Sequence, residues 1–362
     1  MHILACFDAT RLRQEAPALK ALITGLREHG CSITVVIPDQ LPAELAHVRD
    51  DGLGADNVLT APMPMPLWQR RRQGRRMTEY FHKSPPELIW AFGEDAHAQA
   101  TAAADALECP VVLSIWSLHG ARRASPRQHL VGAWIAASPT LASILSKRIG
   151  RELVECIPPA TTTTSSIADP VGLAPSIAVL DAGNDPESMR ALLTGLGPVV
   201  KAVPTLHVCL ELTGQSEHAA WQLADSEGLL DHISTVADAG MVRPLIARCD
   251  VVIQPDRTAD ARTVLLDAMG NRRTIACASA PHLDWLVDGQ TARTIPDADP
   301  EAWTSLMLEL LHDPRQRQLL GEAAYERTKS THSLEAQVNA HLATFHRTCN
   351  GVSYPFVSKE TA

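Results

Sequence analysis

Residues 2–37 read HILACFDATRLRQEAPALKALITGLREHGCSITVVI. The opening apolar run, residues 2–7, has the character of a buried strand. Residues 16–29 carry apolar side chains at helical spacing and are closed by Gly30. Residues 32–37 return to a β-branched apolar run ended by Pro38. Two strands joined by a helical crossover pair in parallel, because a tight hairpin can only join antiparallel neighbours. The same beat predicts strands at 57–59, 88–92, 110–115, 134–137 and 155–157, with helices at 96–107 and 139–148. Strand and helix alternating at this spacing give an α/β fold, a parallel sheet with helices on both faces.

A compositional break follows. Pro158, Pro159, the polar run TTTTSS at 161–166, Pro170 and Pro175 mark an interdomain linker over 161–175. The alternation then restarts, with strands at 176–180, 206–212, 233–236, 251–253 and 274–277. Helices fall near 188–196 and at 263–270, and residues 301–331 form a helix pair broken at DPRQRQ. The expected organisation is a Rossmann-like domain over 1–160, a second over 176–333, a helix at 334–350 and a tail at 351–362. A chain of 362 residues is long enough for two such cores.

Composition narrows the function. Hydrophobic residues at 45% and charged residues at 20% exclude bulk disorder. A net charge of -9 argues against a general nucleic-acid binder, which needs a basic surface. No apolar run reaches the roughly 20 residues of a membrane span, and the start MHILACFDATRLR has no secretory apolar core. The expectation is a cytoplasmic protein, at most peripheral to a membrane. The eight cysteines are scattered with no C-x-x-C pair, so they read as small hydrophobes rather than as disulfides or zinc ligands. Neither metal-ligand spacing among the 15 His nor a phosphate-loop or nucleophile-elbow motif stands out.

Residues 250–292, DVVIQPDRTADARTVLLDAMGNRRTIACASAPHLDWLVDGQTA, carry a resemblance. The stretch is similar to the donor-site signature of the retaining GT-B glycosyltransferases of family 4. There, an aspartate-led apolar strand precedes two glutamates eight positions apart that bracket a Gly-Phe-Gly turn, followed by a Leu-Glu-Ala-Met helix and a Val-x-Asp-Gly turn. Residues 250–255 match the strand, 266–269 the helix with Asp267 in the place of the second glutamate, and 287–289 the last turn. Agreement continues in ELIWAFGEDAHAQA, WIAASPTLASIL, ECIPPATTTT and LHDPRQRQLLGEAAYERTKSTHS, so the resemblance spans nearly the whole chain in order. It implies two Rossmann-like domains facing a cleft. The second would bind a nucleotide-sugar donor and the first an acceptor, with metal-independent retaining transfer of a hexose and no further cofactor. The helix at 334–350 would then cross back to the first domain.

The departures fall on the chemistry. The family places an Arg and a Lys after the first strand of its second domain, where LDAGNDPESMR here puts Asp181 and Pro186 or Glu187. The first glutamate falls on Ala259, and the Gly-Phe-Gly turn becomes Asp260, Ala261, Arg262. Residues 9–14 replace the family's Gly-Gly loop, and Trp116 replaces its histidine, with His119 three residues on. Two further readings follow: a non-catalytic descendant that binds a glycan or a protein partner, and a nucleotide-sugar epimerase on the same architecture.

Each candidate residue has a plain reading beside the functional one. Asp267, with Asp260 nearby, is placed by the resemblance at the donor; as plain structure it is an acid eased by a helix N-terminus. Arg243, Arg257 and Arg262 are candidates to replace the missing cations, since guanidinium matches phosphate in a two-pronged geometry, or they are solvated surface groups. Arg272 and Arg273 read as surface residues of a turn. Gly214 corresponds to a strand-end glycine near the donor base, and also suits any strand-terminal turn. His119 and Arg262 are the weak catalytic candidates, His119 doubling as a turn histidine. Glu94 and Asp95 sit where a strand passes into a helix, a position that capping explains for Asp95. Arg70, Arg71, Arg72, Arg75 and Arg76 form the basic patch of an acidic chain, next to the apolar MPMPLW. They suit an anionic membrane surface or a lipid-linked or phosphorylated acceptor, or they are a solvated helix face.

Overall fold

The computed structural model describes residues 1–64, 67–125, 131–161, 174–180, 185–212, 217–236, 239–258 and 260–351. Gly214, Asp181, Ala259, most of the linker and the tail lie outside the described residues.

The first sheet holds β1 (His2–Phe7), β2 (Ser32–Pro38), β3 (Asn57–Ala61), β4 (Leu88–Phe92), β5 (Val111–Ile115), β6 (Val131–Ala136) and β7 (Val154–Cys156) in the order β3-β2-β1-β4-β5-β6-β7. The second holds β8 (Ser176–Val179), β9 (His207–Glu211), β10 (Ile233–Val236), β11 (Val251–Gln254), β12 (Thr274–Ala278) and β13 (Arg293–Ile295) in the order β10-β9-β8-β11-β12-β13. Every pairing is parallel. Both sheets therefore reverse their winding beside their first strand, the switch point where open α/β sheets bind ligands. Among the described strands, sequence reading misses only β13, a three-residue strand with Arg and Thr in it.

Register brings the switch-point residues together. Phe7 pairs with Phe92, so Asp8 and Gly93 leave their strands side by side. In the second sheet Val179 pairs with Ile253, and the amide of Leu180 donates to the Ile253 carbonyl at 2.8 Å.

The first helix corrects the expected start at residue 16. It runs Ala9–Glu28 and begins directly after β1. Asp8 caps it by accepting the Arg11 amide at 2.9 Å, and Pro17 lies in its interior rather than at its first turn. Residues 9–14 are thus helix, not the loop that the resemblance puts there. Pointing from the first turns toward the second sheet, Arg11 and Glu15 are 5% and 0% exposed.

Buried Phe7, Trp90 and Phe345 centre the first core, with ring centroids 5.2 and 5.8 Å apart around Trp90. Phe345 comes from the helix Leu334–Gly351, which packs on the first sheet. Its Val338 lies so close to Gly25 that a Cβ there would meet Cγ2 at 2.6 Å. The same apolar cluster continues into Ala261, Val264 and Leu265 of the second unit, while Leu192, Leu196 and Trp303 fill the far face of the second sheet. Among the described residues no helix is long and apolar enough to cross a membrane.

Candidate functional site

At the carboxyl edge of the first sheet, Asp8 is the hub. Besides the Arg11 amide, its carboxylate accepts the amide of Asp95 at 3.3 Å. The approach demands glycine at position 93, where φ is +107° and a Cβ would lie 2.0 Å from Asp8 Oδ2. Burial raises the Asp8 pKa, and the two amides and Arg11 only partly offset it. This corrects the capping role expected of Asp95. The helix Glu94–Leu107 has Gly93 at its cap with no side-chain bond, and Asp8 from the neighbouring strand takes the amide.

At the matching edge of the second sheet, Asp185 caps the helix Pro186–Ala202. Its carboxylate accepts from the Ser188 amide at 3.1 Å and the Ser188 hydroxyl at 2.6 Å, and Arg257 Nε stands 3.6 Å away. Burial pushes the Asp185 pKa up, but the Ser188 bonds and Arg257 outweigh it and hold the carboxyl low. Glu187, one of the positions matched to the family lysine, is exposed in the first turn of this helix. Beyond β11, Asp256 is 3% exposed. Its Oδ1 accepts the Thr258 amide at 2.6 Å and hydroxyl at 2.8 Å, while Oδ2 and both amide atoms of buried Gln254 make no hydrogen bond with described residues. Sequence reasoning missed this pair, although a glutamine and an aspartate within one residue of Pro255 in an otherwise apolar strand end were the available signal.

Between the edges runs a seam of ion pairs. Arg11 Nη2 donates to Asp260 Oδ2 at 2.5 Å, with its guanidinium 5.2 Å from the Phe92 ring centroid. Glu15 accepts from the Thr263 hydroxyl and, at 3.2 Å, from the Thr263 amide, the first residue of the helix Thr263–Gly270. Arg243 spans both halves: it pairs with Asp267, donates to Thr263 Oγ1 at 2.7 Å and to the Gln14 carbonyl at 3.0 Å, and lies 3.6 Å from Glu15. The Thr161 hydroxyl donates a hydrogen bond to the other carboxylate oxygen of Asp267. Away from this group, the Ala261 amide donates to the Trp116 carbonyl at 2.8 Å, and Asp284 accepts the amide of Thr140 at 3.1 Å in the first turn of the helix Pro139–Ile149. Burial pushes the Glu15 pKa up despite Arg243, Thr263, Arg262 and Arg11 around it.

Helix N-termini and guanidinium groups are where phosphates normally bind. Here the protein's own carboxylates fill them: Asp185 on one helix, Glu15 on a second, Asp284 on a third. The structure also corrects the role expected of Arg262. It is 1% exposed and grips Glu211, at the end of β9, with two bonds of 2.8 and 2.7 Å, so it is neither solvated nor turned toward a ligand. Arg273, expected at the surface, is 7% exposed and donates to the Cys249 carbonyl at 3.4 Å. Arg272 stacks 3.6 Å from the centroid of Tyr325.

Of the candidates, the structure gathers Asp260, Asp267 and Arg243 at the seam and Arg257 beside it. His119 stands apart, exposed in the short helix Leu118–Arg123 and 3.5 Å from Glu94. The arginine patch is separate again, on the helix Arg70–Phe81. Asp267 lines a cavity of about 230 Å³ with Pro17, Thr161, Arg243, Asn271 and Leu334. That is below the roughly 300–1,000 Å³ of ligand pockets. Among the described residues no group of three or more His, Cys, Asp or Glu is arranged to hold a metal ion.

Residues 180–313, most of the second unit, match the model of the family Glycosyl transferases group 1. No curated protein matches by sequence. Solved structures match along nearly the whole chain. A glycosyltransferase from Rickettsia africae ESF-5 superposes with a TM-score of 0.74 at 10% identity, over 97% of this chain and 99% of that one. Anabaena Alr3699/HepE in complex with UDP-glucose gives 0.75 at 14% identity, over 95% and 100%. Sucrose-phosphate synthase from Thermosynechococcus elongatus gives 0.70 at 12% identity, over 96% and 98%. The fold is that of the GT-B glycosyltransferases, and the resemblance read from residues 250–292 agrees with it.

Proposed function

We propose that this protein is a nucleotide-sugar-dependent glycosyltransferase that moves a hexose with retention and without a metal ion, its second half holding the donor and its first half the acceptor. The position of Asp267 carries this reading: it takes the place of the family's second glutamate and stands in a cavity where both halves meet, with Arg243 beside it. The donor half is also the part that matches the family, and one solved neighbour is a complex with UDP-glucose.

In this reading the seam is a latch. Donor binding parts Glu15 from the Thr263 amide and Arg11 from Asp260. The freed amide, Arg11 and Arg243 then face the diphosphate, in place of the Arg and Lys that the family carries after the first strand. Each such group aimed at the leaving phosphate is worth about 3 kcal/mol in the transition state. Asp267 takes the ribose hydroxyls, Arg257 approaches the phosphates from the β11 loop, and closure over the bound donor keeps water from the activated sugar. A peripheral contact of Arg70, Arg71, Arg72, Arg75 and Arg76 with an anionic surface belongs to the same proposal, on the acceptor side. A second, non-catalytic reading is favoured by one observation, the filling of the anion-binding helix N-termini by Glu15 and Asp185.

The test is thermal. UDP-, GDP- and ADP-sugars are titrated and the melting temperature followed, since a ligand at 100 times its dissociation constant adds about 2.7 kcal/mol. One donor series is expected to stabilise the protein, and Asp267→Asn to weaken that donor by about tenfold, a loss of ~1.4 kcal/mol. Silence across the panel at millimolar donor selects the non-catalytic reading, and an unchanged affinity in Asp267→Asn removes the ribose role.

A further inference from the structure

The helix Arg70–Phe81 divides the arginine patch in two. Its buried side, Gln73, Gly74 and Met77, packs inward, and a Cβ at Gly74 would lie 3.1 Å from that of Ala106. Arg75 falls on the flank that shares a cavity with Glu79, Ala102 and Asp105. Arg72 and Arg76 fall on the other flank and line a separate cavity of about 430 Å³ with Gln69, Gln73, Asp39 and Met63.

This second cavity is sited where a ligand is expected. Asp39 follows β2, and Met63 lies just past β3, so the floor is the carboxyl edge of the first sheet, on the same edge as Asp8. Its chemistry is cationic and unfinished. Arg72 and Arg76 are one helical turn apart and have no carboxylate partner among the described residues, in contrast to the seam arginines. Two like charges at this spacing disfavour the helix unless an anion sits between them. Gln73, only 4% exposed, lines the same cavity on the helix turn between the two arginines. Its side-chain amide carries N–H donors that can meet an anion held there. Asp39, on the strand side, offers an acceptor for a hydroxyl.

We infer that this pocket binds a phosphoryl group carried by a hydroxylated acceptor, with Arg72 and Arg76 gripping the phosphate and Gln73 donating to it. The inference rests on the reading of the first half as the acceptor side. Its chemistry fits a soluble phosphate ester and a phospholipid or lipid-phosphate headgroup alike.

Calorimetric titration of the full-length protein with inorganic pyrophosphate, without donor, tests it. Binding is expected, and Arg72→Ala combined with Arg76→Ala is expected to weaken it by about tenfold or more, as loss of charge-assisted bonds does. Lys147→Ala, at the exposed end of the helix Pro139–Ile149, is expected to leave it within about twofold, and these exposed changes to leave the melting temperature in place. No binding at millimolar pyrophosphate, or equal binding in the double variant, overturns the pocket. Vesicles of phosphatidylcholine with and without phosphatidylglycerol separate the sources. Capture by the anionic vesicles that is lost in the double variant assigns the pocket to a lipid headgroup, whereas pyrophosphate binding without capture assigns it to a soluble ester. Capture that survives in the double variant, with pyrophosphate binding also unchanged, overturns it. Because the donor titration is separate, a failed pocket leaves the transferase reading standing, and a failed donor panel leaves the pocket standing.

Discussion

At the seam, Arg11 and Arg243 each meet a carboxylate, as buried Arg262 does within the second half, and in the pocket beside β2 and β3, Arg72 and Arg76 meet none among the described residues. Burial separates the two settings. A guanidinium taken from water needs its charge balanced on the spot, and the chain supplies Asp260, Asp267, Glu15 and Glu211 for that purpose. At an exposed rim solvent does the balancing, and the charge stays available to a ligand. Counting arginines near the cleft therefore misplaces the anion site: most of those at the seam are consumed in holding the two halves together. Under the transferase reading, the donor must win them from carboxylates already in position.

The largest effect expected is at Arg262. With Glu211→Ala its guanidinium remains buried beside an empty place, and denaturant unfolding is expected to show a loss of about 3–5 kcal/mol. Replacing both residues together, Glu211→Leu with Arg262→Met, is expected to recover most of that loss, because apolar residues of similar volume fill the site without charge. A Glu211→Ala protein as stable as the parent would mean that the pair does not hold this arginine, and the contrast between seam and pocket would weaken at its strongest point.

A smaller effect is expected from Arg11→Met. Asp260 sits nearer the rim, its side chain 12% exposed, and part of its charge is relieved by water once the guanidinium is gone. The expected loss is about 2 kcal/mol, at the lower end for one member of a buried charge pair. Since Arg11 joins the two halves, faster amide exchange at Ala261 and Thr263 should accompany the loss. A stability loss without that local opening would make Arg11 a core residue rather than a latch.

The fold was legible in the chain because buried parallel strands are continuous apolar runs, and β1 and β4 fall on the residues read for them. The first helix was shortened in the reading although its signal was present: Asp8 stands ahead of Arg11 as a cap, and Pro17 lies in the interior. Partner choice was not legible. Arg262 and Glu211 are 51 positions apart, and Glu15 and Thr263 are 248 apart. Nothing in either local sequence distinguishes a paired arginine from a free one. The need for Gly93 was equally invisible, since it arises from a carboxylate delivered by the neighbouring strand.

Asp256 gives the smallest and most diagnostic change. Burial raises its pKa above the ordinary 3.8, the nearby carboxyls of Asp185 and Asp260 add to this, and the Thr258 bonds only reduce it. Below pH 3.8 the group is protonated in both the folded and the unfolded chain and contributes nothing against folding. As pH rises from there toward the raised folded value, the unfolded chain gives up the proton first, so stability falls through that window and stays lowered above it. Asp256→Asn keeps an oxygen for Thr258 and cannot ionise. It is expected to melt about 1–2 °C higher than the parent near neutral pH, which corresponds to ~1 kcal/mol in a chain of this size, with the advantage vanishing below the ordinary aspartate pKa. The same substitution under a bound nucleotide sugar sharpens the contrast between the edges. If Oδ2 and Gln254 serve the donor, the variant gains stability alone and loses part of the stabilisation that donor confers. A variant that is more stable by the same margin with and without donor would confine Asp256 to the fold and leave the seam as the whole of the donor's contact with this edge.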